Sequence, residues 1–158
     1  MTVSTCGVVP GIQELTAQGR NINLAISLHG ASQELRNRLM PINRKYPFPE
    51  VIQAADAYEK SNGRQVMYEY ILLAGINDRP EDARNLADAL EHKECVINLI
   101  PANPVPEKGF ERPSDRAVDR FFQMLKKRRL NVTVRKEMGK DINDGLRPAA
   151  GRKSSHHP

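Results

Sequence analysis

The pattern of this sequence predicts an α/β fold, with parallel strands alternating with helices. Two observations carry it. Short, nearly continuous apolar runs recur along the chain, as strands buried in a parallel sheet do, and amphipathic stretches opened by Ser or Pro separate them. Alternation of this kind builds βα units around one sheet.

Taken in order, Met1–Ser4 reads as the tail of a strand that stops at a Ser-Thr-Cys-Gly turn. Pro10 to Gln18 is a short helix, with Ile12 and Leu15 three apart, and Asn23–Leu28 is a short apolar strand. Ser32 caps a helix through Met40, with Leu35 and Leu39 one turn apart and Pro41 ending it. Pro49 opens the next helix, whose Val51, Ile52, Ala55 and Tyr58 share a face and which Gly63 closes. Gln65–Leu73, rich in β-branched and aromatic residues, is the strongest strand.

The Asn77-Asp78-Arg79-Pro80 turn feeds a helix from Glu81 to His92 that points Ala83, Leu86, Ala87 and Leu90 inward. Val96–Ile100 is a further buried strand, and the four prolines of 101–113 make that stretch an irregular loop. Ser114 caps a helix through Arg128 with an apolar stripe of Val118, Phe121, Phe122 and Leu125; the two phenylalanines read as core. Asn131–Arg135 is the last strand, and the pattern collapses from Met138 onward. About five strands are too few for a closed eight-stranded barrel, and a strand starting at Met1 leaves an exposed sheet edge, as part of a larger fold would.

Composition narrows the function classes. The 158 residues suit one domain, and 39% hydrophobic with 27% charged residues is ordinary for a globular protein. No apolar run approaches the roughly 20 residues that span a bilayer, and no basic segment leads into an apolar core at the N-terminus. No membrane association and no signal peptide are therefore expected. Cys6 and Cys95 lie far apart without metal-ligand spacing, so a reduced, cytoplasmic setting is the default. A net charge of +5 suits an anionic partner such as RNA, although basicity alone is a weak argument.

Five words stand in order along the chain. They are Thr2–Pro10 (Thr-Val-Ser-Thr-Cys-Gly-Val-Val-Pro), Leu24–His29 (Leu-Ala-Ile-Ser-Leu-His), Met40–Tyr46 (Met-Pro-Ile-Asn-Arg-Lys-Tyr), Glu69–Leu73 (Glu-Tyr-Ile-Leu-Leu) and Asn98–Pro104 (Asn-Leu-Ile-Pro-Ala-Asn-Pro). Together they resemble the dual-specificity adenine methyltransferases of radical S-adenosylmethionine type, over residues 1–143. The resemblance implies the C-terminal half of a radical SAM partial (β/α) barrel, with the cluster-bearing N-terminal half missing. It also implies methylation of adenine carbon 2 in 23S rRNA and tRNA through a methyl-cysteine, with S-adenosylmethionine and a 4Fe–4S cluster as cofactors. In this half it assigns cofactor binding to Ser4, Ser27, Leu28, His29 and Asn103. These lie at or just past strand ends, where parallel α/β folds bind ligands. Alone, each has a plainer reading: the serines and Asn103 as turn formers, and His29 as a surface histidine. Leu28 would serve through its backbone or as a pocket wall.

The chain departs from that family in two places. The family's Cys-x3-Cys-x2-Cys loop is absent, and clusters need such thiolates. The family's methyl-accepting cysteine is also absent: Asp141-Ile142-Asn143 is followed by Asp144 to Ala150 with no cysteine, so the covalent step has no nucleophile. No catalytic residue and no metal ligand are assigned. One inserted base turns codons for Ala-Ala-Cys-Gly-Gln-Leu into this segment, so residues 144–158 are expected to be a frameshifted, disordered tail with His156 and His157 accidental. The chain is thus expected to be an inactive enzyme fragment, with the missing half as a partner. The alternatives are a non-catalytic basic RNA-binding remnant or a carbon-8 relative. The Lys126–Arg129 run reads as solvated charge at a helix end, and Arg135-Lys136 as the better candidate for the RNA face.

Overall fold

The computed structural model describes residues 2–18 and 22–135. Its elements are β1 (Thr2–Thr5), α1 (Val9–Gln18), β2 (Asn23–Ser27), α2 (Gln33–Leu39), α3 (Phe48–Asn62), β3 (Val66–Leu72), α4 (Pro80–Leu90), β4 (Cys95–Pro101), α5 (Asp115–Lys127) and β5 (Asn131–Val134). Each expected strand and helix is present, with ends shifted by one or two residues. The caps form as the sequence implies. Ser32 Oγ accepts from the Leu35 N–H at 3.1 Å, Ser114 Oγ accepts from the Ala117 N–H at 3.1 Å, and Gly63 closes α3 at φ 66°.

Two loop expectations change. Pro41 ends α2 but also opens a 3₁₀ turn over Pro41–Arg44, since its fixed φ suits a first helical position. The stretch after β4 is more ordered than four prolines suggest. Pro106–Lys108 forms a 3₁₀ turn, and Val105 and Phe110 exchange backbone hydrogen bonds of 3.0 and 3.1 Å, which carries the Phe110 ring inside at 1% exposure. An apolar side chain anchors this loop, so its prolines shape it without leaving it irregular.

The sheet is wholly parallel in the order β1-β2-β3-β4-β5. Each crossover steps one strand in the same direction, and right-handed crossovers then place the connecting helices on one face, as in a barrel segment. The core agrees. Leu24, Ile26, Val66, Tyr68, Tyr70, Ile97, Leu99 and Val132 alternate along their strands and pack with Ile12, Val51, Tyr58, Leu86, Phe121 and Leu125 of α1, α3, α4 and α5. This is a partial (β/α) barrel.

Helix α2 is the exception. Leu35 and Leu39 join Met40, Phe110 and Ala102 in a second core with Ile71 and Ile100, whose side chains have the opposite parity on β3 and β4. This small core caps the carboxyl ends of the strands on the face that the other helices leave open. Among the described residues no helix is long and apolar enough to cross a membrane.

Candidate functional site at the carboxyl edge of the sheet

The open face is polar in its middle. Register aligns Ser27, Glu69, Asn98 and Thr133 in one row across β2, β3, β4 and β5. Neighbouring members of such a row stand about 4.8 Å apart, so adjacent groups can hold the same ligand. Thr133 Oγ1 donates to Asn98 Oδ1 at 3.0 Å, and Arg135 Nη2 reaches Glu69 Oε2 at 3.3 Å. Ser4 lies one row below, beside Ala25, Met67 and Val96. A hollow of about 390 Å³ opens where Met67 and Val96 meet the amino ends of β1 and β2.

Above this row, buried side chains knit the strand ends together. His29 follows β2 in a left-handed turn at φ 58° and is 2% exposed. Its Nδ1 accepts from the Ile71 N–H at 3.0 Å, which leaves the ring proton on Nε2. Burial, reinforced by the Arg36 charge, holds its pKa down to about 3, so the ring is neutral at physiological pH. Gly30 follows in a tight space, where a Cβ would stand 3.2 Å from Leu35 Cγ and 3.3 Å from the Arg36 nitrogen. Asn77, at 0% exposure, donates from Nδ2 to the His29 and Ile71 carbonyls at 2.9 and 2.7 Å. Its Oδ1 accepts from the Leu73 N–H at 2.7 Å.

The expected site residues fall into four groups. Ser4 and Ser27 lie on the open face, exposed and half-buried. His29 sits behind that edge and is not a surface histidine. Leu28 does not wall a pocket on that face: its side chain, 0% exposed, packs in the helix-side core because a strand alternates its faces. Only its backbone is near the edge, donating to the Glu69 carbonyl and accepting from Arg36. Asn103 is exposed two residues past β4.

Sequence reading missed Glu69, Asn98 and Thr133 as members of the face, along with the two buried organisers Arg36 and Asn77. Alternation gave the parity of each strand, but only the register between strands shows that the first three share a row with Ser27.

Other expectations resolve locally. Phe121 is core, its ring 5.2 Å from that of Tyr70, whereas Phe122 is half-buried and lines a surface hollow of about 480 Å³ beside α5. Within the basic run, Arg128 is committed to Asp88 of α4 and Glu91 at its C-cap at 2.7 and 2.8 Å, so it ties the ends of α4 and α5 together. Arg135 bonds Glu69 on the open face, while Lys136, the Asp141-Ile142-Asn143 segment and residues 144–158 lie outside the described residues.

The residues do not fit an iron–sulfur cluster. Cys6 follows the carboxyl end of β1 and Cys95 opens β4 at the opposite end of the sheet, where burial pushes its thiol up to about 11. Among the described residues no three His, Cys, Asp or Glu side chains group as metal ligands. The hydroxyls and amide of the open face do fit a polar organic cofactor.

No protein-family model matches the chain. Curated relatives do. It is 49% identical over 142 residues to a probable dual-specificity RNA methyltransferase RlmN of Desulforudis audaxviator, covering 90% of this chain and 45% of that protein. It is 46% identical over 143 residues to the corresponding Bacillus subtilis protein, covering 90% of this chain and 39% of that one. A solved radical SAM methyltransferase from Sphaerobacter thermophilus superposes with a TM-score of 0.85 at 42% identity, covering 94% of this chain and 44% of the other. The chain spans less than half the length of these relatives. By sequence and by fold, it belongs to the RlmN-type family of radical SAM methyltransferases.

Proposed function

We propose that the open face and the strand ends above it form part of an S-adenosylmethionine site. The enzyme it belongs to methylates carbon 2 of an adenine in 23S rRNA and tRNA through a methyl-cysteine. The observation that carries this is the placement of Ser4 and Ser27 on adjacent strands of one polar face, in a chain 49% identical to an RlmN-type protein. Their hydroxyls, with the Asn98 amide, supply short donors and acceptors for the amino-acid and ribose groups of the cofactor. Asn103, on the exposed loop after β4, supplies a further amide. The rRNA and tRNA substrates and the carbon-2 target follow from the resemblance of the five sequence words. In the family, S-adenosylmethionine and the cluster together supply the radical chemistry.

With two cysteines at opposite ends of the sheet, this chain is inactive alone in our reading. Titration of the chain with S-adenosylhomocysteine tests the cofactor site. Each of Ser4→Ala and Ser27→Ala is expected to weaken binding about fivefold, the worth of one net hydrogen bond. No uptake by the wild-type chain, or uptake by both variants as tight as that of the wild type, sinks the reading. Iron binding with reductive cleavage of S-adenosylmethionine by the isolated chain would overturn the inactivity.

A further inference from the structure

Arg36 of α2 carries no role in the sequence reading, yet it is the largest fully buried side chain, at 0% exposure. Its guanidinium meets no carboxylate among the described residues; every partner is a neutral oxygen. Nε donates to the Leu28 carbonyl at 3.1 Å and Nη1 to Asn43 Oδ1 at 2.9 Å. Nη2 donates to the carbonyls of Cys6 and Ser27 at 2.6 and 3.1 Å. Three of these acceptors lie at the carboxyl ends of β1 and β2: Ser27 is the last residue of β2, and Cys6 and Leu28 are the first residues past β1 and β2. The approach is close. Gly7 sits at φ 106°, and a Cβ on it would stand 3.2 Å from Arg36 Nη2 and 3.0 Å from Val51 Cγ2.

Burying a guanidinium without a counter-charge is costly, and an apolar side chain here would take a donor away from each of four oxygens. A planar fork with five N–H groups can serve all four at once; a lysine ammonium, with three donors at one point, cannot. We propose that Arg36 is a positioning residue of the cofactor site. It clamps the carboxyl ends of β1 and β2 to each other, and so sets Ser4, Ser27 and the His29 turn in fixed relation. The proposal rests on the reading of this face as an S-adenosylmethionine site.

Arg36→Lys keeps the charge and loses the fork. In the full chain it is expected to keep the far-ultraviolet dichroism of the wild type. Amide exchange should accelerate about tenfold or more at Cys6–Gly7 and Ser27–His29 while β3 and β4 hold their protection. S-adenosylhomocysteine affinity should fall about tenfold, since the contact atoms survive but their spacing does not. A second variant, Gly7→Ala, presses a methyl against Nη2 with Arg36 in place and should give the same local signature. Unchanged exchange at those amides overturns the proposal, as does unchanged affinity with accelerated exchange, or global unfolding of both variants. If the wild-type chain takes up no ligand, the cofactor reading fails first and the proposal with it. If the wild-type chain takes up the ligand and the variants bind it as tightly, the proposal alone fails.

Discussion

Asn77→Ala should be among the most damaging single changes to this fold, although Asn77 is not itself an expected cofactor-binding residue. Its side chain makes three hydrogen bonds of 2.7 to 2.9 Å, all buried, tying the loop after β3 to the His29 turn. Truncation strands two carbonyls and one N–H. Each unsatisfied buried group costs about 1–3 kcal/mol, so the three together cost at least about 3 kcal/mol, a large share of the roughly 5–15 kcal/mol that holds a domain folded. Urea unfolding followed by circular dichroism measures it directly, and a melting point about 10 °C lower is the thermal counterpart. Asn62→Ala is the control. Its single bond goes to the Tyr58 carbonyl at 3.2 Å in a part-buried helix turn, and its loss should cost at most about 0.5 kcal/mol. A loss within about 1 kcal/mol of wild type for Asn77→Ala would refute the reasoning, because the network would then not be what holds these strand ends.

Two further outcomes follow from buried groups. The folded pKa of His29, about 3, lies below the 6.5 usual for a histidine, so the unfolded chain binds the extra proton first and stability falls as pH drops through 6.5 toward 3. Between pH 7 and 5 the chain should lose about 2 kcal/mol on that account, and His29→Asn, which tolerates the left-handed turn, should flatten the slope. Equal slopes in the two proteins would contradict the assignment. Among the described residues the buried Tyr58 hydroxyl has no hydrogen-bond partner, so Tyr58→Phe should leave stability unchanged or raise it by about 1 kcal/mol. Clear destabilisation in the unfolding curve would show that the hydroxyl has a partner after all.

The architecture was legible because period and punctuation agree along most of the chain. Val51, Ile52, Ala55 and Tyr58 fall at helical spacing and are all buried, and Ser32 and Ser114 cap as their positions imply. Periodicity says that a face is buried, but not against what. Leu35 and Leu39 read as an ordinary core stripe, yet they pack over Ile71 and Ile100 on the opposite side of the sheet from the other helices. No local signal separates those two cases, because the choice depends on where the chain after β2 must go. The same gap hid Arg36. A charged residue between apolar ones on a short helix reads as solvent-facing, and only the second core makes its position an interior one.

Burial then decides what each expected site residue is able to contribute. His29 spends Nδ1 on the Ile71 amide, so any ligand meets only an Nε2–H donor on an uncharged ring. Leu28 can act through its backbone alone, and its carbonyl is already shared with Arg36. Ser4 and Ser27 keep hydroxyls on the open face, where the polar groups of a ligand can reach them. Contact and positioning are therefore carried by different residues: exposed hydroxyls and amides for the first, buried Arg36 and Asn77 for the second. Substitutions in the two sets should separate in a binding titration. Loss of a hydroxyl should leave the stability of the fold intact, whereas loss of a buried organiser should change affinity and stability together.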